Sequence, residues 1–272
     1  MPVVVRYLNK LCMKSYSLKL FIVFLLLSSF AKPGSKKTML AIFAHPDDEL
    51  AIAPALAKLS KEYSIHIVYA TDGKGGTRVS NISADSLGKI RIAEVTCSLQ
   101  SLGLEPPLFL HVDRLDSKYD LSKFWNQTKI AKDSLKLIIE RLNPDVIITI
   151  GPDGDTGHPE HRVISSLTTE LILREGWFDR YPLYFFIWTK KQADRYAVLG
   201  IDDLMYADDQ YINLSVKYTN ADEAKAWEAM KCHKSQYTSK EIEESIQMDK
   251  ADSSNVLYFR KFAIDKQKRK SF

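Results

Sequence analysis

Ala41-Ile-Phe-Ala-His-Pro-Asp-Asp-Glu-Leu50 joins an apolar run to a cluster of ionisable groups with no spacer between them. Met39 to Ala44 reads as a buried strand, and a helical pattern begins directly after Glu49. Pro46 fixes its own φ and disfavours a helical conformation at His45, so the imidazole projects from the strand end. Asp47, Asp48 and Glu49 fall in the first turn of the next helix, where the dipole favours negative charge. Three carboxylates at the end of a buried strand are costly to desolvate unless something cationic compensates them. A metal ion is the simplest such group.

Outward from this stretch, the pattern alternates. The first strand covers about Thr38 to Ala44, and an Ala- and Leu-rich helix runs from Leu50 to Leu59. Ser64 to Thr71 reads as a second buried strand, followed by the loop Asp72-Gly-Lys-Gly-Gly-Thr-Arg78, whose glycines favour neither helix nor strand. A helix from about Asp85 to Leu102 is closed by Gly103. Pro107 to Val112 gives a third strand, Lys123 to Leu142 a long helix, and Asp145 to Ile150 a fourth strand after the break at Asn143-Pro144. A helix then extends to about Arg174, and Leu183 to Trp188 forms a fifth strand. Beyond Arg195 the pattern weakens, leaving a helix over Asn220 to Ser235 and a final strand over Asn255 to Phe262.

Continuous apolar strands separated by helices indicate a mostly parallel sheet covered on both faces. The expected fold is therefore an α/β, three-layer sandwich with strand order 3-2-1-4-5. One domain covers 32–272, with a core over about 38–190 and a C-terminal extension over about 191–272.

The chain has 272 residues, 45% hydrophobic and 26% charged, with a formal net charge of +4. That excess is local. Residues 1–31 hold Arg6, Lys10, Lys14 and Lys19 and no acid, so removing them takes the charge from +4 to 0. The basic tail Lys266-Gln-Lys-Arg-Lys270 has no interleaved aromatics, which argues against a nucleic-acid partner. The basic lead, the apolar run Leu20 to Ala31 and the small residues Ser29 and Ala31 describe a secretory signal peptide. Export to the periplasm or the extracellular space follows, with membrane attachment only if the segment stays uncleaved. Cys97 and Cys232 remain after its removal; each is most simply a buried thiol, and a disulfide between them stays open.

Two loops carry acids and histidines: the one after the first strand and Gly151-Pro-Asp-Gly-Asp-Thr-Gly-His-Pro-Glu-His161 after the fourth. In a doubly wound sheet the first and fourth strands are neighbours at the point where the order reverses, and ligands bind beyond their carboxyl ends. Both loops then open into one crevice. His45, Asp48, His158 and His161 are the candidate metal donors, three of them sufficing for a catalytic zinc with an open position. A spare carboxylate, Asp47 or Glu49, is left to deprotonate water whose pKa the cation lowers.

Ala44-His-Pro-Asp-Asp-Glu49, Thr71-Asp-Gly-x-x-Gly, Arg91-x-x-Glu94, Gly151-Pro-Asp-Gly, Gly157-His-Pro-Glu-His161 and His233-x-Ser-Gln236 together resemble the motifs of the PIG-L/LmbE family of zinc-dependent de-N-acetylases. The likeness spans about Thr38 to Tyr237. It implies a Rossmann-like fold and hydrolysis of an acetamide on an amino sugar, usually an N-acetylglucosamine conjugate. By position it assigns His45, Asp48 and His161 to zinc, with ferrous iron as the alternative, and makes Asp47 the general base. His158 would stabilise the oxyanion, as an imidazolium, or protonate the leaving amine.

Arg91 is assigned to the sugar crevice, against a plain intrahelical pair with Glu94. Asp113, at the end of the third strand, is a further sugar-binding candidate, against a turn role. Glu160 replaces the Asp usual in this motif, and Thr156 stands where some relatives have Tyr. The segment from Trp177 to Tyr218 matches nothing in the family pattern. The partner expected is a small molecule or glycan carrying an N-acetylated amino sugar. A non-catalytic carbohydrate-binding protein of the same fold is the alternative.

Overall fold

The computed structural model describes residues 36–268 apart from 77, 79–80, 117–119, 199 and 202. The signal segment expected over 1–31 lies outside the described residues. From Lys37 on, the described residues form one compact unit.

Strand β1 (Lys37–Phe43) is paired in parallel with β2 (Tyr63–Tyr69) on one side and β4 (Val146–Ile150) on the other. β2 continues to β3 (Leu108–Phe109), and β4 to β5 (Leu183–Thr189), all parallel, which gives the expected order β3-β2-β1-β4-β5. Side chains alternate across β1 as the strand period demands. Leu40, Ile42 and Ala44 enter a core cluster with Ala131, Leu135 and Ile164, while Met39, Ala41 and Phe43 enter another with Leu56, Val95 and Leu99. Helices α1 (Ala53–Leu59) and α2 (Ala84–Leu102) supply the second cluster, and α3 (Leu121–Leu142) and α4 (Pro159–Arg174) the first. This is the three-layer sandwich. Local stops match the sequence: Ser83 caps α2 through Ser86 N at 3.2 Å, and Gly103 ends it in the left-handed region at φ 75°.

The C-terminal part extends the sheet. After β5 come α5 (Lys190–Ala197), the short β6 (Tyr206–Ala207) parallel to β5, and β7 (Leu214–Lys217). Then α6 (Asn220–Met230) and α7 (Ser239–Ala251) lead to β8 (Val256–Lys261). β8 runs antiparallel to β5, and β7 antiparallel to β8. The aromatic stretch from Tyr181 to Trp188 is core strand: Tyr181, Phe185, Phe186 and Trp188 are all buried.

Some boundaries differ from expectation. The helix expected from Leu50 opens as a 3-10 turn over Asp48–Ile52, because backbone N–H groups nearby turn inward to the Asp48 and Glu49 carboxylates. The third strand pairs only at Leu108–Phe109, since His111 adopts φ 56° and breaks the extended run. α6 stops at Met230 rather than Ser235, where the chain turns to direct His233 into the interior.

Cys97 and Cys232 are joined in a disulfide. Cys97 is exposed on α2, so neither cysteine is the buried thiol that the helical pattern suggested.

Candidate active site

The pairing Ile42 with Thr149 sets the ends of β1 and β4 side by side, and Thr149 Oγ1 donates to Ile42 O at 2.8 Å. Both loops therefore open into one cavity of about 600 Å³. His45, Asp47, Asp48, His158, Glu160 and His161 all line it.

Three donor atoms converge there. His45 Nδ1 lies 3.3 Å from His161 Nε2, His161 Nε2 lies 3.1 Å from Asp48 Oδ1, and Asp48 Oδ1 lies 3.7 Å from His45 Nδ1. Each is aimed by its other polar atoms. His45 Nε2 donates to Glu160 Oε2 at 2.8 Å, and His161 Nδ1 donates to Gly154 O at 3.1 Å. That choice of tautomer turns a lone pair of each ring toward the other. Asp48 Oδ2 accepts from the Ala44 and His45 backbone N–H groups, both at 2.9 Å, which leaves Oδ1 facing the rings.

Three acceptors pointing at one another repel unless a cation or proton lies between them. Tetrahedral coordination with arms of about 2.0–2.1 Å separates neighbouring ligands by about 3.4 Å, close to these spacings. The residues fit a divalent metal. Donor atoms of His45, His158 and His161 also lie within 4.8 Å of one another. That set is looser, and His158 Nδ1 already accepts from Glu160 N at 3.3 Å, so Asp48 completes the better triad.

The charges follow the same logic. Burial opposes a charge on His45, but Asp48 and Glu160 outweigh it and raise its pKa to about 10. Burial likewise opposes charge on His161, and Asp48 raises it. Burial also works against the Asp48 carboxylate, yet His161 and His45 hold it well below the ordinary value. The site is a sink for positive charge. His158 behaves oppositely: burial, then the neighbouring His45 and His161, push it down to about 4. The imidazolium expected at His158 is thus corrected to a neutral ring.

Asp47 stands beside the triad in a strained backbone state, φ 110°. Its N–H donates to Glu49 Oε2 at 3.0 Å. Its Oδ1 pairs with Arg91 Nη2 at 2.9 Å, and the same nitrogen donates to Pro46 O, while Nη1 donates to Gly73 O at 3.1 Å. Gly73 itself sits at φ 72°, and a Cβ there would lie 2.5 Å from Arg91 Nη1. The glycine is what lets the guanidinium pass behind Asp47.

The model of the PIG-L family, described as GlcNAc-PI de-N-acetylase, matches residues 40–172, the segment that carries both loops. Residues 40–172 form a PIG-L family domain. Among curated PIG-L relatives, a 1D-myo-inositol 2-acetamido-2-deoxy-alpha-D-glucopyranoside deacetylase of Mycobacterium sp. (strain JLS) is 29% identical, with 73% of each chain covered. The structure of an N,N'-diacetylchitobiose deacetylase from Pyrococcus horikoshii superposes with a TM-score of 0.58 at 20% identity, covering 83% of this chain and 84% of that one. A 4-carboxy-2-hydroxymuconate hydratase from Pseudomonas putida scores 0.58 as well, at 15% identity, covering 86% and 100%. Such distant likenesses show the fold, and function has to be argued from the site.

One sequence-derived pairing changes. Arg91 does not pair with Glu94, which instead accepts from Ser235 N and Oγ, both at 2.7 Å. Arg91 lines the cavity but is only 4% exposed and has both terminal nitrogens committed, so the contact it makes is with Asp47. Asp113 does line the cavity, where Lys74 holds it at 2.7 Å and Lys123 at 3.5 Å.

Sequence reading missed the group that locks Glu49. That carboxylate is fully buried and accepts from Tyr69 Oη at 2.9 Å, Ser98 Oγ at 2.6 Å and His233 Nε2 at 2.8 Å. His233 is the partner of Glu49. Glu160, the replacement for the usual Asp, aims His45; its place between the two histidines of one helical turn was the available signal.

Proposed function

We propose that this PIG-L protein is an exported, metal-dependent hydrolase that removes acetyl from an N-acetylated amino sugar of the N-acetylglucosamine type. The observation that carries the reading is the convergence of His45 Nδ1, Asp48 Oδ1 and His161 Nε2 beside an independently held Asp47. The deacetylase names of relatives in the same family support the substrate class.

His45, Asp48 and His161 would hold zinc or ferrous iron, which would polarise the acetamide carbonyl and make a water acidic enough to ionise near neutrality. Asp47 handles the proton. Burial pushes its carboxyl up to about 6 against the pull of Arg91, so it is mostly ionised at neutral pH. With Oδ1 held by Arg91, Oδ2 takes the proton from the attacking water. The same oxygen returns that proton to the amide nitrogen as the C–N bond breaks, releasing acetate and a free amine. His158 stays neutral. Its Nδ1 accepts from the Glu160 backbone, so Nε2 carries the hydrogen and donates to the oxygen of the tetrahedral carbon.

Export rests on the basic-apolar segment over 1–31 and gains support from the exposed Cys97–Cys232 disulfide, a bond that persists in oxidising compartments. The test is acetate release by the purified, metal-loaded protein from a panel of N-acetylated saccharides, before and after chelation. Release that stops on chelation and returns with zinc or iron supports the reading. Release indifferent to chelation rejects it.

A further inference from the structure

The cavity has two unlike walls, and the order of the sheet separates them. His45, Asp47 and Asp48 follow β1, in the middle of the five parallel strands. Toward β2 and β3 the wall consists of Gly73, Gly75, Arg78, Asp113 and Arg114, a polar lining suited to sugar hydroxyls. Toward β4 and β5 lie Ile150, Phe186, Trp188, Tyr196, Leu204 and Met230, with Asp155 and Thr156 as the polar residues among them. Phe186 packs edge-on against Trp188 at 4.9 Å, and Trp188 against Tyr196 at 5.1 Å. The indole N–H of Trp188 is used internally by Asp155 Oδ1, so the aromatic face it offers the cavity is apolar.

An amide is planar and trans, so its acyl chain and its nitrogen substituent leave the C–N bond in opposite directions. With the carbonyl at the triad and the amino sugar on the polar wall, the acyl chain heads for the apolar one. An acetyl methyl would touch only the near edge of it. The cavity, at about 600 Å³, is sized for a molecule larger than one N-acetylated monosaccharide.

We propose that the substrate of this site is an amino sugar whose nitrogen bears an acyl chain longer than acetyl, the chain lying along Ile150, Phe186, Trp188 and Leu204. The proposal rests on the hydrolase reading above and alters only the acyl group. Water adds to the carbonyl carbon, the C–N bond breaks, and a fatty acid and the free amino sugar leave.

The experiment measures free-amine release from glucosamine carrying N-acetyl, N-butanoyl or N-hexanoyl, and from octyl N-acetylglucosaminide. Burial of added methylenes should raise kcat/KM at least roughly tenfold from acetyl to hexanoyl. Leu204→Trp, which fills the apolar wall, should bring the hexanoyl-to-acetyl ratio close to one; because this is a ratio within one preparation, partial loss of folded protein does not alter it. A steady fall in kcat/KM from acetyl to hexanoyl would overturn the proposal while leaving the deacetylase reading in place. A gain confined to the octyl glycoside would overturn it too, by giving the apolar wall to the aglycone. No amine from any of the four would reject the hydrolase reading, and this proposal with it.

Discussion

The turn after β1 and the segment after β3 both bring acids to the same edge of the sheet, and the protein holds them in opposite ways. In the first, Asp48 and Glu49 accept hydrogen bonds from three backbone N–H groups and three side chains, with Glu49 fully buried. In the second, Asp113 is half exposed and held by two flexible lysines. Residues that move protons or hold a cation must keep their geometry to a fraction of an ångström, and only buried, multiply bonded groups do so. Residues that meet a soluble sugar can stay adjustable.

Substitutions should separate these two regimes by size of effect. Asp47→Ala should lower kcat by roughly 10²–10⁴-fold with bound metal unchanged, measured by acetate release and metal stoichiometry. Its carboxyl, raised to about 6, should also give wild-type kcat/KM an ascending limb at or below pH 6 that the variant lacks.

His233→Ala breaks a pair in which neither side chain is exposed, so it should destabilise by about 3–5 kcal/mol in denaturant melts. The pair also sets a pH window. Glu49 is held below its ordinary 4.5, so its contribution is full above 4.5 and fades as pH falls through the lower folded value. His233 is held above its ordinary 6.5, so its contribution is full below 6.5 and fades as pH rises through the higher one. The stability difference between wild type and His233→Ala should peak between pH 4.5 and 6.5.

Cys97→Ser with Cys232→Ser should cost about 2–4 kcal/mol, since the bond spans 135 residues, and should lower kcat along with the melting midpoint. The bond flanks Ser98 and His233, the two groups that grip Glu49 from either side. Asp113→Asn should do least: a change in KM of a few fold at most, with kcat and stability unaltered, because exposed ion pairs contribute about 0–1 kcal/mol.

The same contrast governs what the sequence disclosed. Strands β1 to β5 and their order were legible because each is an apolar run, the first four closed by Gly, Pro or acids, and because parallel strands follow one handedness of connection. His45, Asp47, Asp48, His158 and His161 were legible because they sit in two short clusters at predicted strand ends. The support behind them was not. Glu49 and His233 are 184 residues apart, Arg91 and Asp47 lie on different elements, and no local pattern links such partners. α7 was missed because Ile242 and Ile246 are its only buried residues, too few for a periodic signal among so many charges. β8 was legible as the final strand expected over Asn255 to Phe262, whereas β7 was not, because an antiparallel strand at a sheet edge needs only part of its side chains buried.

The pairing of β8 against β5 has a consequence for how much chain makes a viable molecule. A version cut after residue 189 would leave β5, with Phe185, Phe186 and Trp188, as a bare hydrogen-bonding rim inviting fibre-like stacking. It would also take away His233 and with it the counter-ion of Glu49. The stretch with the recognisable motifs is thus the working face of a machine whose frame is closed by the less recognisable remainder.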